Sequence, residues 1–368
     1  METRRDASLQ YRMKVTPLLE EHRKLSAKFT EFAGYNMPVS YGAVKDEVMA
    51  VRERAGMFDV SHMLPIFLKA DTREALVAAL NTVCVRPTDK LKPGKAQYNA
   101  LYNENAGLVD DITMSSISDT HWTIVANAGN RDAVVAHLKA HCTGIHIEPW
   151  SDYVLLAVQG PRAADFIAKR WPFVEQLYYY EVALPEPKLF IGRMGYTGED
   201  GFEIACDAQV GMQLWQDLHS SGVAACGLAA RDVLRLEALM PLYGHELSSE
   251  LRPQESGISF IYADHDCIAP RALREKPVER VTCGFRLNGE GVPRQGYAIA
   301  DGTGQQVGEV TSGTFSFTNN FGMGMMRIAA EAKTGNLSVI IRGEAKPITV
   351  LDKAPIQGSV KRRPKTNQ

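Results

Sequence analysis

The sequence predicts an α+β fold in which two related α+β domains surround a central cleft and a β-barrel follows at the C-terminus. Three observations lead to this prediction. A hydrophobic share of 45% over 368 residues is enough for a large core and for about two or three domains. One order of elements, strand-helix-strand-strand-strand-helix, occurs twice in succession. After about Arg280, short strands alternate with glycine-rich turns, which is typical of a small β-barrel.

The first copy of the repeated pattern occupies residues 65–140. Before it, residues 32–41 are predicted to form a packed loop, and residues 43–55 form a helix with an apolar stripe. The copy itself comprises the strand 65–69, the helix 72–81 with Asp71 as its N-cap, the strands 96–102, 108–114 and 122–126, and the helix 131–140. Because this order returns later in the chain, we interpret it as one half of a duplicated unit packed side by side with the other.

The second copy and the barrel complete the chain. The second copy comprises the strand 153–158, the helix 162–170, the strands 178–183, 188–193 and 202–205, and the helix 210–219. A further helix covers 229–238, and barrel strands cover 281–287, 297–300, 307–311, 323–328 and 337–342. We therefore expect the two α+β domains within residues 14–278, the barrel within 279–356, and a disordered tail over 357–368.

Composition limits the classes of function. The chain has 41 basic and 43 acidic residues, and its formal charge of −2 gives no basic surface for nucleic acid. No apolar run reaches the roughly eighteen residues that span a membrane. The six cysteines are scattered without a C-x-x-C pair, so neither a metal site nor disulfides are predicted. Met1 to Lys14 is predicted to be a loose tail, and we expect a cytoplasmic protein, or a mitochondrial matrix protein if the source is eukaryotic.

A glycine-rich stretch, Arg193 to Ile204, dominates the second copy. Gly195, Gly198 and Gly201 recur every third residue, which lets a backbone turn tightly and approach a ligand. Glu203 follows in a strand rather than in the turn. A carboxylate on a rigid strand suits the recognition of a planar pair of N–H donors. On spacing alone, however, an exposed hairpin with solvated acids is the simpler explanation.

Asp110 and Asp111 lie in a predicted strand, so their side chains point to opposite faces and are not expected to form a carboxylate dyad. One of them must enter a buried or cleft face, where a lone carboxylate is costly unless something binds it. Two roles stay open: one aspartate binds turn amides while the other is solvated, or a single carboxylate faces an amine or a cationic intermediate. His62, beside Ser61, is predicted to be a structural donor, with a catalytic base as the alternative.

Several short stretches, spread over nearly the whole chain, match one family in sequence and in order. They are T-P-L (16–18), F-A-G-Y-N-M-P-V (32–39), F-D-V-S-H-M (58–63), N-E-N-A-G-L-V-D-D (103–111), L-A-V-Q-G-P (156–161), G-Y-T-G-E-D-G-F-E (195–203), L-A-A-R-D-V-L-R-L-E (228–237), P-L-Y-G-H-E-L (241–247) and G-E-V-T-S-G-T (308–314). With these stretches the chain resembles the T-protein of the glycine cleavage system, the tetrahydrofolate-dependent aminomethyltransferase, and its relatives.

The resemblance implies a folate-binding fold of two α+β domains around a central opening, with a C-terminal β-barrel. It implies that the catalytic residue is the second aspartate of the pair, Asp111. The residues implied to bind tetrahydrofolate are Glu203, which holds the pterin, together with Arg231, Tyr98, Tyr196 and Met63. A carboxylate suits the adjacent amino and ring N–H groups of a pterin, and aromatic rings suit its flat faces.

In the family that the chain resembles, an aminomethyl group arrives on the lipoyl arm of a partner protein, tetrahydrofolate takes its methylene, and ammonia leaves. The resemblance therefore implies a lipoylated carrier protein as partner, with a small methylated substrate as the alternative. An ionised Asp111 would orient the folate nitrogens and stabilise developing positive charge. We expect the carrier to dock near a basic stretch, although an ordinary solvated face explains these charges equally well. The stretch comprises Arg271, Arg274, Lys276 and Arg280.

The sequence departs from the family pattern in three places. These departures bear on the identity of the one-carbon donor more than on the binding of folate. Residues 252–260 read R-P-Q-E-S-G-I-S-F where T-P-x-E-A-G-L-G-W is common, residues 267–273 depart from F-I-G-R-x-A-L, and an expected aromatic residue is missing after Pro355. An enzyme of the same fold that takes a methyl group from an O-, S- or N-methyl compound is therefore the alternative function. A folate-binding protein that assists iron–sulfur assembly is a third interpretation, but its K-G-C-Y-x-G-Q-E signature is absent from the sequence.

Overall fold

The computed structural model describes residues 13–364, and in them the predicted repeat is present. The N-terminal half contains the helices α1 (Leu19–Lys24), α2 (Val44–Glu53), α3 (Arg73–Asn81) and α4 (Arg131–His141), and the strands β1 (Lys28–Phe32), β2 (Tyr35–Ser40), β3 (Gly56–Asp59), β4 (Leu64–Lys69), β5 (Lys95–Tyr102), β6 (Leu108–Ser116), β7 (His121–Ala126) and β8 (His146–Pro149). The order β4-α3-β5-β6-β7-α4 is the first copy of the pattern.

The second copy follows directly, and the barrel strands come last. The second half contains β9 (Tyr153–Gln159), α5 (Ala163–Ile167), β10 (Glu181–Glu186), β11 (Leu189–Arg193), β12 (Gly201–Asp207), α6 (Ala208–Ser220), β13 (Ala224–Ala225) and α7 (Leu228–Glu237), and then the short α8 (Arg271–Arg274). The barrel strands are β14 (Arg280–Leu287), β15 (Ala298–Ala300), β16 (Gln306–Ser316), β17 (Phe321–Ala329), β18 (Leu337–Ile341) and β19 (Glu344–Leu351).

One continuous sheet joins the two halves, with eleven strands counted over residues 13–364. The first half contributes β5-β6-β7-β4-β8 to one end and the second half contributes β10-β11-β12-β9 to the other, where β3 of the N-terminal half and then β13 extend the edge. Strands β4 to β7 and β9 to β12 therefore occupy equivalent positions. The halves meet where β10 pairs with β5, at Glu181 opposite Lys95. Two apolar clusters pack on the sheet: the one around Trp122 takes residues from both halves, and the one around Trp215 comes mainly from the second half. The copies therefore lie side by side, as predicted, but share one sheet.

The C-terminal strands close into a barrel in the order β14-β17-β16-β15-β18-β19, and β19 pairs back to β14. Helix α7 ties this barrel to the sheet. Glu237 accepts a hydrogen bond from Ser316 Oγ at 2.6 Å, and Arg235 Nη2 donates to Ser312 Oγ at 2.8 Å. Because buried charged groups need such partners, these bonds hold α7 in one position between the two parts of the molecule.

Three local features differ from the sequence prediction. Residues 32–41 form a hairpin of β1 and β2 rather than a loop, because Ala33 and Gly34 have φ values of 51° and 80° and make the two-residue turn that such hairpins favour. The N-cap of α3 is Thr72 rather than Asp71, since Thr72 Oγ1 accepts a hydrogen bond from Ala75 N at 3.2 Å. Strand β19 was not predicted, because charged residues and Pro347 hide its alternation.

The C-terminal segment differs from its predicted disorder. Residues 357–364 lie along the second half, where Ser359 Oγ donates to Glu199 Oε2 at 2.6 Å and Arg363 Nε donates to Glu181 Oε1 at 2.7 Å. Residues 365–368, and all but the last two residues of the predicted N-terminal tail, lie outside the described residues. The domain limits at 278 and 356 stay predictions. Across residues 13–364, no helix is both long and apolar enough to cross a membrane.

Candidate active site

One asparagine, Asn127, directly follows the neighbouring strand β7 and donates hydrogen bonds to both Asp110 and Asp111. Strands β6 and β7 pair with Thr113 opposite Val125, so Asn127 falls opposite Asp111. Asn127 Nδ2 donates to Asp110 Oδ1 at 2.9 Å and to Asp111 Oδ1 at 2.8 Å, and its backbone N–H donates to Asp110 Oδ2 at 2.8 Å. Burial alternates along β6 as predicted, but the two carboxylates share a donor. The alternation agrees with side chains on opposite faces, but the shared donor couples the two carboxylates, which the sequence did not indicate.

The pKa values of both aspartates are raised. Burial is the main cause in each case, and it brings the pKa of Asp110 to about 6. For Asp111 the negative charge of Asp110 adds to burial, and the pKa rises to about 7. Asn130 Nδ2 also donates to Asp110 Oδ1, at 2.7 Å, so Asp110 is enclosed by amides while Asp111 stays partly exposed. A carboxyl group that titrates near neutral pH can hold or release a proton during a reaction.

Tyr98 supports Asp111 from strand β5. Its hydroxyl donates to Asp111 Oδ2 at 2.9 Å. Burial and the charge of Asp111 raise the pKa of Tyr98 well above its ordinary value, so the hydroxyl remains protonated. The ring of Phe260 stacks on that of Tyr98, with centroids 6.2 Å apart and an interplanar angle of 21°. Since Phe260 is 75% exposed, this aromatic pair is an apolar wall that solvent reaches beside Asp111.

Glu203 lies on β12 and is only 8% exposed. Burial raises the pKa of its carboxyl group, and the positive charge of Arg231 opposes that rise. Arg231 lies on α7, and its Nη1 atom is buried without a hydrogen-bond partner among residues 13–364. A buried guanidinium N–H without an acceptor costs free energy, so an unused donor here indicates a place for a ligand oxygen.

Tyr196 interacts with charged groups near both predicted acids, Asp111 and Glu203. The guanidinium carbon of Arg231 lies 4.9 Å from the centroid of its ring, and the Tyr196 hydroxyl donates to the carbonyl of Pro241. The pKa of Tyr196 is raised by burial; the charge of Arg235 lowers it and that of Asp111 raises it further. Tyr196 therefore contacts Arg231 and is influenced by the charge of Asp111, so it relates predicted residues of the two halves to each other.

The glycines between β11 and β12 allow close backbone packing. A Cβ atom at Gly195 would lie 1.8 Å from Gln159 Oε1, and one at Gly201 would lie 2.4 Å from the carbonyl oxygen of Val158. Gly198 has a φ of +80°, which L side chains rarely adopt. The spacing of three therefore reflects a loop that folds onto strand β9 and presents Tyr196.

The two acids inside that loop are not solvated. Glu199 Oε1 accepts a hydrogen bond from Arg52 Nη1 at 2.8 Å, and Asp200 Oδ1 accepts one from Arg193 Nε at 2.9 Å. All four side chains are buried, at 6% exposure or less. The interpretation of this stretch as an exposed hairpin with solvated acids is therefore wrong.

Met63 lies half-buried against the core of the first half, and its carbonyl accepts a hydrogen bond from the Tyr153 hydroxyl. Its neighbour His62 is 4% exposed. Burial lowers the pKa of His62 to about 4, with the charge of Asp59 opposing the shift and that of Arg231 adding to it. A neutral imidazole with so low a pKa is a weak base at neutral pH, which argues against the catalytic base. Its Nδ1 atom is buried without a hydrogen-bond partner among residues 13–364, so the predicted role as a structural donor finds no support at that atom.

Two residues of the site were not predicted from the sequence. Asn127 was missed although it directly follows the strand β7, where a polar residue at a strand end is a usable signal. Phe260 was noted only as part of the divergent segment 252–260, and its stacking on Tyr98 depends on a contact between distant parts of the chain. Neither position carries a local pattern that reveals its partner.

The basic stretch expected to dock a carrier is not a free positive surface. Arg274 is 3% exposed, and its Nη1 donates to Asp264 Oδ1 at 3.0 Å. Arg271 pairs with Asp264 Oδ2 at 3.2 Å and with Glu275 Oε1 at 2.7 Å. The expectation of four available charges is therefore wrong, because two of them hold the loop around α8 together.

Comparison with known proteins gives consistent matches over nearly the whole chain. The GCVT N-terminal domain model matches residues 18–264, and the glycine cleavage T-protein C-terminal barrel domain model matches residues 280–356. The aminomethyltransferase of Leptospira interrogans is 37% identical over 95% of this chain and 99% of its own length. That of Aquifex aeolicus is 39% identical over 89% of this chain and 91% of its own.

A solved structure agrees with the sequence matches. The glycine cleavage system aminomethyltransferase T from Bartonella henselae superimposes with a TM-score of 0.90 at 31% identity, covering 95% of this chain and 100% of that one. Fold and matches together define an enzyme of the one-carbon transferase class. The chain belongs to the glycine cleavage T-protein family, and the resemblance inferred from its sequence is confirmed.

Proposed function

We propose that this protein transfers the methylene of an aminomethyl-lipoyl donor to tetrahydrofolate and releases ammonia. The observation that carries the proposal is the raised pKa of two acids, the partly exposed Asp111 and the buried Glu203, together with the unused donor of Arg231, which contacts Tyr196. The family implies a folate-dependent reaction, and relatives named aminomethyltransferase support this donor class. Their bacterial sources favour a cytoplasmic location.

The residues present fit a reduced folate. The buried carboxylate of Glu203 suits the adjacent amino and ring N–H groups of a pterin edge, which would stabilise its ionised form. Arg231 Nη1 would donate to a folate oxygen and so gain the partner that it lacks among the described residues. The rings of Tyr98 and Tyr196 offer flat faces, and Met63 offers a polarisable apolar one.

Asp111 would act at the reacting end. Its ionised carboxylate stabilises the positive charge that develops as the bond to the departing ammonia breaks. Tyr98 and Asn127 already donate to its two oxygens, so the carboxylate needs little reorganisation during the reaction. With a pKa of about 7, the same group can hold a proton at one oxygen and release it again. When bound, tetrahydrofolate supplies the nitrogen that accepts the methylene.

The partner that fits this reaction is a lipoylated carrier protein. The solved relative from Bartonella henselae is described as part of a glycine cleavage system, which supports a donor delivered within such a system. The exposed ring of Phe260 beside Tyr98 leaves an approach to Asp111 from solvent. A carrier arm that delivers the aminomethyl group requires an approach of this kind.

The test combines the protein, tetrahydrofolate and an aminomethylated lipoyl carrier, and measures ammonia and methylene-tetrahydrofolate in the same samples. Equal amounts of the two products support the proposal. Binding of tetrahydrofolate without any product from the lipoyl donor would contradict it. Demethylation of an O-, S- or N-methyl compound in a parallel assay would then identify the alternative function.

A further inference from the structure

A polar cavity of about 280 Å³ lies between the segment that follows α7 and the C-terminal barrel. Its walls come from both parts of the molecule and include His245, Ser248, Gln295, Glu309, Thr311 and Arg327. The residues proposed to bind folate are not among those that line it. The volume is near the lower end of the range for ligand pockets, so it suits a small molecule rather than a folate.

Two polar atoms in the cavity wall have unused hydrogen-bonding capacity. Thr311 Oγ1 and Arg327 Nε are buried without a partner in the described part of the chain, and Thr311 is only 4% exposed. The guanidinium of Arg327 is fixed, since its Nη2 donates to the carbonyls of His245 and Glu246, each at 3.0 Å. A fixed guanidinium N–H and a buried hydroxyl together suit a carboxylate, which can accept from both.

A negative charge lies beside Arg327 in the wall of the cavity. Strands β16 and β17 place Glu309 directly opposite Arg327, a position in which opposite charges usually attract each other. Arg327 turns instead to the two carbonyls, and Glu309 stays exposed without an ion pair among residues 13–364. Burial lowers the pKa of Arg327, while Glu309 is one of the charges that raise it, so the two groups act on each other.

We propose that this cavity binds a small zwitterion of the α-amino-acid class. The ligand carboxylate accepts hydrogen bonds from Arg327 Nε and the Thr311 hydroxyl, and the ligand ammonium group donates to Glu309. A simple carboxylate would leave Glu309 as a repulsive neighbour, and a simple amine would leave Arg327 and Thr311 without an acceptor. The amino acid is the class that satisfies all three groups at once.

Isothermal titration calorimetry of the full chain tests this with L-alanine, acetate, methylamine and inorganic phosphate as probes. We expect saturable binding of L-alanine, about tenfold weaker binding of acetate, and no binding of methylamine. Glu309→Gln should weaken the binding of L-alanine, because the ammonium group loses its partner, and should strengthen the binding of acetate, because a repulsive charge is removed, so that the two affinities converge. Thr311→Val keeps the shape and removes the hydroxyl, so both ligands should bind about fivefold more weakly. Thr349→Val, at an exposed position of β19, is the matched control and should change nothing.

Three results would overturn the proposal: no saturable binding of L-alanine, tighter binding of acetate or phosphate than of L-alanine, or an L-alanine affinity that Glu309→Gln leaves intact. Near-UV circular dichroism checks the fold of each variant. Because Glu309 is exposed, Glu309→Gln is expected to fold normally. It therefore still tests the proposal if Thr311→Val does not fold. The titrations contain neither tetrahydrofolate nor a lipoyl donor, so their outcome is independent of the proposed function.

Discussion

Two sets of acids in this protein have their negative charges compensated in different ways. Glu199 and Asp200 each accept hydrogen bonds from a buried arginine. Glu199 also accepts one from Ser359 Oγ, and Asp200 accepts one from the backbone N–H of Lys361. Glu203 is buried and Asp111 is partly exposed, and in contrast to the first set burial raises the pKa of each. Glu203 faces Arg231, whose own Nη1 lacks a partner among the described residues.

The difference separates acids that stabilise the fold from acids that are available for chemistry. A buried carboxylate with a well-placed arginine is costly to disturb, because removing one partner leaves the other charge buried alone. A carboxylate with a raised pKa has lost hydration, and the hydrogen-bond donors and cations around it do not fully replace that hydration. Such groups are concentrated at functional sites. Members of both sets occur in one stretch of chain, since Glu199 and Asp200 lie only a few residues before Glu203.

The largest expected effect concerns the first set. Arg193→Met should lower the free energy of unfolding by about 3–5 kcal/mol, because Asp200 would lose a buried, doubly hydrogen-bonded partner. Urea unfolding measures the loss. The matched control is Arg162→Met, which breaks an exposed pair with Asp165 and should cost about 0–1 kcal/mol. Similar losses in both variants would remove the contrast between buried and exposed pairs.

The next effect concerns catalysis by the second set. Asp111→Asn keeps the shape and removes the charge, so turnover should fall by roughly two or more orders of magnitude while the Kd for tetrahydrofolate changes little. Steady-state kcat and calorimetric Kd measure the two quantities. Asp110→Asn is the comparison, and it should act mainly on stability because Asn127 and Asn130 enclose that carboxylate. A near-normal kcat in Asp111→Asn would refute the assignment.

Glu203→Ala should mainly weaken binding. The variant removes an acceptor for the pterin edge, and the binding free energy for tetrahydrofolate should drop by about 1.5–3 kcal/mol, the usual loss for a charged hydrogen-bond partner. Calorimetric titration measures it. Glu186→Ala, at an exposed position of β10, serves as the control and should bind as the wild type does. Unchanged affinity in Glu203→Ala would remove Glu203 from the proposed site.

A further effect is a pH dependence of stability. The pKa of Asp111 is raised from 3.8 to about 7, so the folded state binds this proton more tightly than the unfolded state does. The contribution of Asp111 to stability is therefore fully present below the unfolded value and is lost as pH rises through about 7. Asp111→Asn should gain stability over the wild type at pH above this window and show less gain at acidic pH. Unfolding curves at several pH values that ran parallel for the two proteins would contradict the shift.

Activity should follow the same titration. Because the proposed role needs the ionised form of Asp111, kcat should fall on the acid side of about pH 7 in the wild type. Asp111→Asn should lack this acid limb in its residual activity. A wild-type profile that stays flat through neutral pH would show that the charge of Asp111 does not limit turnover.

Much of the fold was predictable because it depends on local patterns. Alternation along a strand and apolar stripes along helices identified both copies of the repeat, and the glycine-rich turns identified the barrel. The fold class and family were likewise predictable, since several stretches in a fixed order are specific even when each one alone is weak. Tyr98, Glu203 and Arg231 were selected as site residues on the same basis.

Only the tertiary structure decided how the acids are partnered. No local pattern at Asp110 or Asp111 indicates that Asn127 bonds both, because that contact depends on the register of β6 against β7. The arginines that meet Glu199 and Asp200 come from a helix far back in the chain and from the preceding strand. Sequence determines which residues carry charge, whereas the dielectric and the partners that set each pKa arise from segments brought together by folding.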